Sequence, residues 1–207
     1  MITMLIRKLV YILCLFLWVY PASGVSSTLL VWGDSLSAAY GIKVEQGWVA
    51  LLQTRLDEKK SKPWRVINGS ITGQTSSEGK TRLGAALEKT QPDIMLLGLG
   101  SNDGLQGKSL KALQANLDEM VEMARSQGAQ VLLLGNLIPP NYGAVYTDGF
   151  ARVYSDVSAG QNIPRVPFLL DGVANDFDLM QGDGLHPTAA AQPRLLENVW
   201  TYLEPML

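Results

Sequence analysis

Cysteine and histidine are the scarcest residues of this 207-residue chain, with one of each. The cysteine, Cys14, lies in an apolar N-terminal segment. No disulfide can therefore form beyond residue 24, and the hydrophobic core has to stabilise the fold without a crosslink. The one imidazole is that of His186. Since histidine is the usual general base near neutral pH, serine–histidine chemistry in this chain would require His186.

A strong charge of either sign is also absent. The chain has 17 basic and 19 acidic side chains, a net charge of −2. Residues 1–24 contain two basic and no acidic side chains, so without them 15 basic and 19 acidic side chains remain and the net charge is −4. A mildly acidic chain is a poor nucleic-acid binder. No linker, repeat or block of like charge divides the sequence, so we predict one domain over residues 25–207.

Three signatures of other protein classes are missing. No Gly-x-Gly-x-x-Gly follows a predicted strand and no Walker lysine is present, which disfavours a doubly wound nucleotide-binding protein. There is also no Gly-x-Ser-x-Gly, the nucleophile elbow of the α/β-hydrolase fold. A serine nucleophile would need a different scaffold.

The longest apolar run, Leu9 to Tyr20, follows Arg7-Lys8 and precedes the small residues Ala22-Ser23-Gly24. This order is typical of a secretory signal peptide, which we predict for residues 1–24. A membrane anchor is the alternative, but a dozen helical residues span only roughly 18 Å of a hydrocarbon layer about 30 Å thick. Lipid attachment at Cys14 is disfavoured because the apolar run continues beyond it. We expect an exported protein, periplasmic or secreted, with no stable membrane anchor after cleavage.

Short apolar runs alternate with longer amphipathic stretches in the rest of the chain. Several of the short runs are apolar at successive residues, as expected for strands that are buried on both faces. Strands are predicted at residues 28–32, 65–67, 93–99, 130–134 and 166–170. Helices are predicted at residues 46–60, 76–89, 110–124, 148–160 and 192–205. This alternation predicts an α/β fold in which helices cover both faces of a parallel sheet.

Polar segments follow the first four predicted strands. They are Gly33-Asp34-Ser35, residues 68–73, residues 100–103 and residues 136–143. In open α/β sheets, ligands bind in the crevice beyond the carboxyl ends of the strands. One crevice would therefore collect all four segments.

Ser35, Asp183 and His186 have the residue types of a nucleophilic triad, in that chain order. A serine hydroxyl is a weak nucleophile until a base accepts its proton, and the base needs a third group to orient it. Asp183 and His186 are three residues apart, so the carboxylate can reach one ring nitrogen while the other faces Ser35. The alternatives are a turn at Asp183, a helix entry at His186 and a helix N-cap at Ser35.

A tetrahedral intermediate also needs hydrogen-bond donors for its oxyanion. The candidates are the backbone N–H groups of Ser35 and Gly73 and the side-chain amide of Asn102. Gly73 and Asn102 are also residue types that turns favour, so each has an ordinary structural alternative.

A group of apolar residues on predicted loops either lines an acyl groove or packs the loops onto the domain. Its members are Leu105, Leu137, Ile138, Pro139, Pro140 and Tyr142. Ligand pockets are themselves largely apolar, so both interpretations stay open. Trp48, Trp64 and Trp200 are assigned to the core and given no functional role.

The segments around the site candidates resemble the four blocks of the SGNH hydrolases, also called GDSL esterases. The matching segments are Gly-Asp-Ser-Leu-Ser at 33–37, Ser-Ile-Thr-Gly at 70–73, Gly-Ser-Asn-Asp at 100–103 and Asp-Gly-Leu-His-Pro at 183–187. The resemblance covers nearly all of the chain after residue 24. It is strongest for bacterial periplasmic members that act as thioesterases and lysophospholipases. It implies a single flavodoxin-like three-layer α/β/α domain with a five-stranded parallel sheet, a triad of Ser35, Asp183 and His186, and neither metal nor cofactor.

Two positions depart from the pattern of the close relatives. Ser101 and Gln106 stand where those relatives have a glycine and an arginine. Both positions lie where an acyl chain would enter, so the chain-length preference of the relatives does not transfer to this chain.

The function expected from these residues and this resemblance is that of a serine esterase. It would hydrolyse small acyl esters and thioesters, in the manner of arylesterases, thioesterases and lysophospholipases, through an acyl-enzyme on Ser35. We expect a monomer. A carbohydrate acetylesterase on the same fold is one alternative, because the triad sets the chemistry and not the substrate. A catalytically silent binding module is the other.

Overall fold

A computed structural model describes residues 26–59 and 62–207. The signal peptide predicted for residues 1–24 lies outside the described residues. The strands are β1 (Ser27–Gly33), β2 (Trp64–Asn68), β3 (Ile94–Gly98), β4 (Gln130–Leu134) and β5 (Arg165–Val166). The helices are α1 (Trp48–Lys59), α2 (Ser76–Thr90), α3 (Ser101–Leu105), α4 (Leu110–Ser126), α5 (Ala144–Gln161) and α6 (Gln192–Leu203).

The five strands form one sheet in the order β2-β1-β3-β4-β5, and every pairing is parallel. In the register of the sheet, Leu30 of β1 lies between Ile67 of β2 and Met95 of β3. This strand order is that of flavodoxin, so the predicted flavodoxin-like α/β fold is confirmed. The chain reverses direction across the sheet between β1 and β3, and a ligand crevice is expected at that point.

Strand β1 shows why the sheet carries helices on both faces. Successive side chains of a strand point to opposite faces. Leu29 and Val31 accordingly pack in the hydrophobic cluster with α1 and α6, whereas Leu30 and Trp32 pack in the cluster with α2, α4 and α5. Each fully buried side chain of this kind stabilises the fold by about 1.5–3 kcal/mol.

The strand predicted at 166–170 is wrong beyond its first residue, since β5 ends at Val166. Pro167 has no N–H group to donate to a ladder, which ends the pairing. The residues that follow form turns, and Leu169 and Leu170 are buried there without belonging to a strand. Their apolar character therefore reflects burial and not strand structure.

The other elements agree with the prediction to within a few residues, with two exceptions. Helix α5 begins at Ala144, four residues before the predicted start, because its first residues, Ala144 and Val145, are exposed and the first turn shows no apolar periodicity. Helix α3 was not predicted, since five residues are too few to show a helical period. The three tryptophans assigned to the core, Trp48, Trp64 and Trp200, are buried.

Candidate active site

Ser35 lies in the turn that follows β1, and Asp34 organises this turn. The carbonyl of Asp34 accepts hydrogen bonds from the N–H groups of Ser37 and Ala38, at 3.2 and 3.0 Å. Its Oδ1 accepts a third bond from the N–H of Leu36, at 3.1 Å. Ser35 is 9% exposed, so its hydroxyl borders the crevice while its backbone is part of a fixed turn.

Asp183 and His186 are brought together by a second turn. Oδ1 of Asp183 accepts hydrogen bonds from the N–H groups of Leu185 and His186, at 2.9 and 3.0 Å. Aspartate often forms a turn in this way, by accepting hydrogen bonds from the backbone N–H groups that follow it. The turn that was the structural alternative is therefore present, and it also places the carboxyl group beside the imidazole.

The hydroxyl, the imidazole and the carboxyl group form a continuous chain of contacts. Nε2 of His186 lies 2.9 Å from Oγ of Ser35, and Nδ1 lies 2.7 Å from Oδ2 of Asp183. A carboxylate can only accept a hydrogen bond, so Nδ1 carries the proton of the neutral ring. Nε2 is then free to accept the proton of Ser35.

Asp183 is held in its ionised form. Partial desolvation raises the pKa of its carboxyl group, but hydrogen bonds from the His186 ring and from the N–H groups of Leu185 and His186 outweigh this effect. The pKa is lowered from 3.8 to about 2. Asp183 therefore remains a carboxylate, able to orient the imidazole, throughout the range in which histidine titrates.

The ring of Tyr40 covers one face of the imidazole. The two ring centroids are 4.3 Å apart, with an angle of 41° between the planes. The chain reaches this position through Ala39, whose φ of 58° lies in the left-handed region. That conformation costs a residue with a Cβ roughly 1–2 kcal/mol. No pattern in the sequence pointed to Tyr40.

Gln181 joins the serine turn to the histidine turn. Its backbone N–H donates to the carbonyl of His186 at 2.7 Å. Its side-chain Nε2 donates to the carbonyl groups of Tyr40 and Pro187, at 2.8 and 3.0 Å. Gly41 has a φ of 73°, which favours glycine, and a Cβ there would lie 2.2 Å from Oε1 of Gln181 and displace this side chain. We refer to Gln181 and its three carbonyl partners as the Gln181 clamp.

Asn102, the amide predicted as an oxyanion donor, lies on α3. Its Nδ2 donates to the carbonyl of Gln74 at 3.1 Å, which brings it next to the loop that contains Gly73. A side-chain amide has two N–H donors, and this bond uses one of them. The second remains available to a ligand.

Asp103 ties α3 to the start of α2. Its two carboxyl oxygens accept hydrogen bonds from the N–H and the hydroxyl of Ser76, both at 2.7 Å. Asn116 of α4 donates to the same hydroxyl at 3.0 Å. This buried cluster fixes α3, and so Asn102, against the loop of Gly73 and Gln74.

The two predicted backbone donors have no acceptor in the described part of the chain. Neither the N–H of Ser35 nor that of Gly73 donates a hydrogen bond to another residue of 26–59 or 62–207. Gly73 has a φ of 78°, and no atom lies within 4 Å of the place where a Cβ would be. Its backbone conformation, and not crowding, therefore favours glycine here. Backbone N–H groups that lack an internal partner are available to a ligand.

Asp34 has a second, unexpected property. Its carboxyl group is completely buried. Burial raises the pKa of this carboxyl group to about 6, against the opposing effect of the Leu36 N–H bond.

Ser101, one of the two departures noted in the sequence, accepts a hydrogen bond from the side-chain amide of Asn136.

A cavity of about 180 Å³ opens above Ser35, and we call it the reaction cavity. Besides Ser35, Asn102 and His186, it is lined by four of the six residues predicted for an acyl groove: Leu105, Leu137, Ile138 and Pro139. Pro140 does not line it. Neither does Tyr142, whose hydroxyl donates to the carbonyl of Leu105 at 2.8 Å and so supports the end of α3.

The described residues contain no group of three or more histidine, cysteine, aspartate or glutamate side chains arranged to hold a metal ion. Within the same part of the chain, none of the helices combines the length and the apolarity that a membrane crossing needs.

The profile of the GDSL-like lipase/acylhydrolase family matches residues 31–193. The chain belongs to this family. The resemblance noted in the sequence is thereby confirmed, and so is the expectation of an ester hydrolase, because curated esterases of this family match most of the chain.

Two curated relatives of this GDSL-type hydrolase span nearly its whole length. Esterase TesA of Pseudomonas aeruginosa PAO1 is 50% identical over 194 residues, which are 94% of this chain and 96% of that protein. Thioesterase 1/protease 1/lysophospholipase L1 of Escherichia coli K12 is 35% identical over 185 residues, 89% of this chain and 87% of that protein.

A solved structure agrees with the fold. The psychrotrophic esterase EstA from Pseudoalteromonas sp., in a crystal structure inhibited by monoethylphosphonate, superposes with a TM-score of 0.83 at 39% identity. The match covers 87% of this chain and 98% of EstA. The fold of this GDSL-type hydrolase is thus that of SGNH esterases.

Proposed function

We propose that this GDSL-type hydrolase cleaves acyl esters and thioesters through an acyl-enzyme on Ser35. The observation that carries the proposal is the contact chain in which Nε2 of His186 lies 2.9 Å from Oγ of Ser35 and Nδ1 lies 2.7 Å from Oδ2 of Asp183. A hydroxyl, a base and an orienting carboxylate in this order are what nucleophilic acyl transfer requires.

In the first half of the reaction, His186 takes the proton of Ser35 as Oγ forms a bond to the substrate carbonyl carbon. The carbonyl oxygen becomes an oxyanion, which the N–H groups of Ser35 and Gly73 and the amide of Asn102 stabilise. The bond to the leaving oxygen or sulfur then breaks, and His186 returns the proton to that atom.

In the second half, a water molecule replaces the leaving group. His186 takes a proton from the water, whose oxygen bonds to the acyl carbon. The bond to Oγ breaks, and the proton returns to Ser35. The products are a carboxylic acid and the unchanged enzyme. Asp183 stays ionised throughout and stabilises the imidazolium that forms in each half.

The sequence pattern of residues 1–24 supports the further proposal that the enzyme is exported and works as residues 25–207. Mass spectrometry of protein recovered from the periplasm or the medium tests both the export and the cleavage site. The monomeric state stays a prediction that light scattering can test.

The proposal is tested with a panel of p-nitrophenyl esters and acyl thioesters, from acetyl to dodecanoyl, assayed with the wild type and Ser35→Ala. We expect hydrolysis by the wild type and a loss of about 10⁴-fold or more in the variant. Retention of activity by folded Ser35→Ala protein would exclude the mechanism. The acetyl and octanoyl members of the panel also separate this proposal from a carbohydrate acetylesterase.

The pH profile tests His186. Activity is expected to fall on the acid side, because a protonated imidazole cannot accept the proton of Ser35. Asp183, with a pKa of about 2, stays ionised over this range and does not contribute to the loss. Asp34, with a pKa of about 6, does titrate in this range, so the acid-side fall has to persist in Asp34→Asn. Activity that is constant down to about pH 4 would remove His186 as the base.

A further inference from the structure

A second cavity of about 350 Å³ adjoins the reaction cavity and is about twice as large. It is bounded by residues 137–140, by side chains of the segment 168–175, and by Met180, Gly184 and Leu185. We call it the side cavity. It contains none of the groups that would react, since Ser35, Asn102 and His186 line only the reaction cavity.

The two cavities share one wall. Leu137, Ile138, Pro139, Leu170 and Leu185 line both of them. Two of these side chains, Leu137 and Leu185, are 47% and 37% exposed. The shared wall therefore presents large apolar side chains to water. A ligand that passed from one cavity to the other would cover both leucines and gain the free energy of removing their surface from water.

The side cavity offers a charged occupant no side chain of opposite charge. Among the residues that the structure describes, no aspartate, glutamate, lysine or arginine lines it, and Asn175 supplies the one polar side chain. A phosphate or an ammonium group would lose its hydration there without gaining a partner of opposite charge. The cavity is therefore suited to an uncharged, apolar group.

The position of His186 indicates which half of an ester would enter. The leaving atom has to lie within hydrogen-bond reach of Nε2 to receive its proton, so the leaving group extends on the histidine side. Gly184 and Leu185, which line the side cavity, directly precede His186. Leu105, which lines only the reaction cavity, ends the helix that carries Asn102.

We propose that the side cavity binds an apolar, uncharged leaving group, an aryl or medium-chain alcohol or thiol, while the acyl group lies along Leu105. This inference rests on the proposed function and adds the substrate class: esters with an apolar group on both sides of the scissile bond.

Ala174→Phe tests the proposal, because Ala174 lines the side cavity and not the reaction cavity, and a benzyl side chain would fill part of the space. Ala115→Phe, on the exposed face of α4, is the matched control. Two substrate series are compared. Acetyl esters of ethanol, hexanol, phenol and naphthol vary the leaving group, and p-nitrophenyl esters from acetyl to decanoyl vary the acyl chain.

For each substrate, the quantity measured is the ratio of kcat/KM between variant and wild type, which removes the intrinsic reactivity of the ester. We expect Ala174→Phe to lower kcat/KM about tenfold or more for the hexyl and naphthyl esters. The kcat/KM for ethyl acetate should stay within about twofold of the wild-type value, and so should the relative kcat/KM values among the p-nitrophenyl esters of different acyl length. Ala115→Phe should change none of the ratios.

If the loss of kcat/KM grew with the length of the acyl chain instead, the side cavity would bind the acyl group and the proposal would be overturned. Equal kcat/KM ratios for all members of both series would overturn it as well. Failure of the proposed function is a separate result: the wild type would then hydrolyse none of the esters, and both proposals would fall.

Discussion

At the scale of single residues, some side chains of the site are proposed to react and others to hold the reacting side chains in position. In the proposed mechanism, Ser35 and His186 contact the substrate, and Asp183, which contacts the imidazole, acts through it. Asn102 and the N–H groups of Ser35 and Gly73 are placed to receive an oxyanion. Each of these assignments is open to test by substitution of one residue.

Asn102→Ala removes one oxyanion donor and leaves the serine and histidine turns intact. Turnover is expected to fall by about 10² to 10³, with KM little changed, because the lost hydrogen bond is made mainly in the transition state. Steady-state kinetics with a p-nitrophenyl ester measure both constants. A kcat within a few-fold of the wild type would remove Asn102 from the oxyanion site.

Asp34→Asn tests the buried carboxyl group below Ser35. The native pKa of Asp34, about 6, exceeds the reference value of 3.8, so the folded state binds its proton more tightly than the unfolded state does. Stability from this group is therefore present at low pH and is lost as the pH rises through about 6. A shift of roughly two units corresponds to about 3 kcal/mol.

Urea unfolding of the wild type and Asp34→Asn at pH 4 and pH 8 checks this expectation. The wild type should lose about 2 kcal/mol relative to the variant between the two pH values, because the unfolded carboxyl group is already partly ionised at pH 4 and the other titrating groups are common to both proteins. A difference that does not depend on pH would contradict the burial of an ionisable carboxyl group at this position.

At the scale of elements, the site is built by the segments that follow β1, β2 and β3 together with the turn at 183–186. Asp103 fixes α3 to α2 through Ser76, and the Gln181 clamp fixes the serine turn to the histidine turn. Sequence patterns predicted the strands before these segments but neither the bonds of Asp103 nor the Gln181 clamp, since hydrogen bonds that join residues 27 or 141 positions apart have no local periodicity.

Gln181→Ala removes the side-chain half of the clamp and retains its backbone bond to His186. We expect kcat to fall about 10-fold to 10²-fold with KM nearly constant, because a small displacement of His186 from Ser35 slows proton transfer more than it weakens substrate binding. Gln114→Ala, on α4 and outside the lining of both cavities, is the matched control.

Gln181→Glu complements this test, since an ionised carboxylate has nearly the same shape but cannot donate to the two carbonyl groups. It should lose activity as Gln181→Ala does. Full activity in both variants at an unchanged Tm would show that the clamp does not position the histidine.

At the scale of the whole molecule, the strand order explains how residues 35 and 186 meet. All five strands are parallel, so their carboxyl ends lie at one edge of the sheet, where apolar patterning and strand–helix alternation predicted the crevice. The contact among Ser35, His186 and Asp183 was also predicted, while the catalytic roles of these residues and of the oxyanion donors stay predictions. Tyr40, Gln181 and the burial of Asp34 were not, because each depends on packing between distant segments.

The same distinction applies to the fold. The prediction was right where an element is long and periodic, as in α4, and wrong at β5, where Pro167 ends the strand inside an apolar run. It was incomplete at α3, whose five residues show no period. The six residues predicted to line one acyl groove do not share one place. Five of them line the reaction cavity, the side cavity or both, and Tyr142 instead supports α3 through its bond to the carbonyl of Leu105, a division that composition alone does not indicate.

The central claim is that Ser35 forms a covalent bond to the acyl group. Treatment with a fluorophosphonate, followed by intact-mass measurement and peptide mapping, tests it most directly. Ser37→Ala is the matched control, because Ser37 lies two residues away and its Oγ has no hydrogen-bond partner among the described residues. We predict one adduct per chain on Ser35 in the wild type and in Ser37→Ala, and none in Ser35→Ala. An adduct on folded Ser35→Ala protein, or no adduct on the wild type, would contradict the claim.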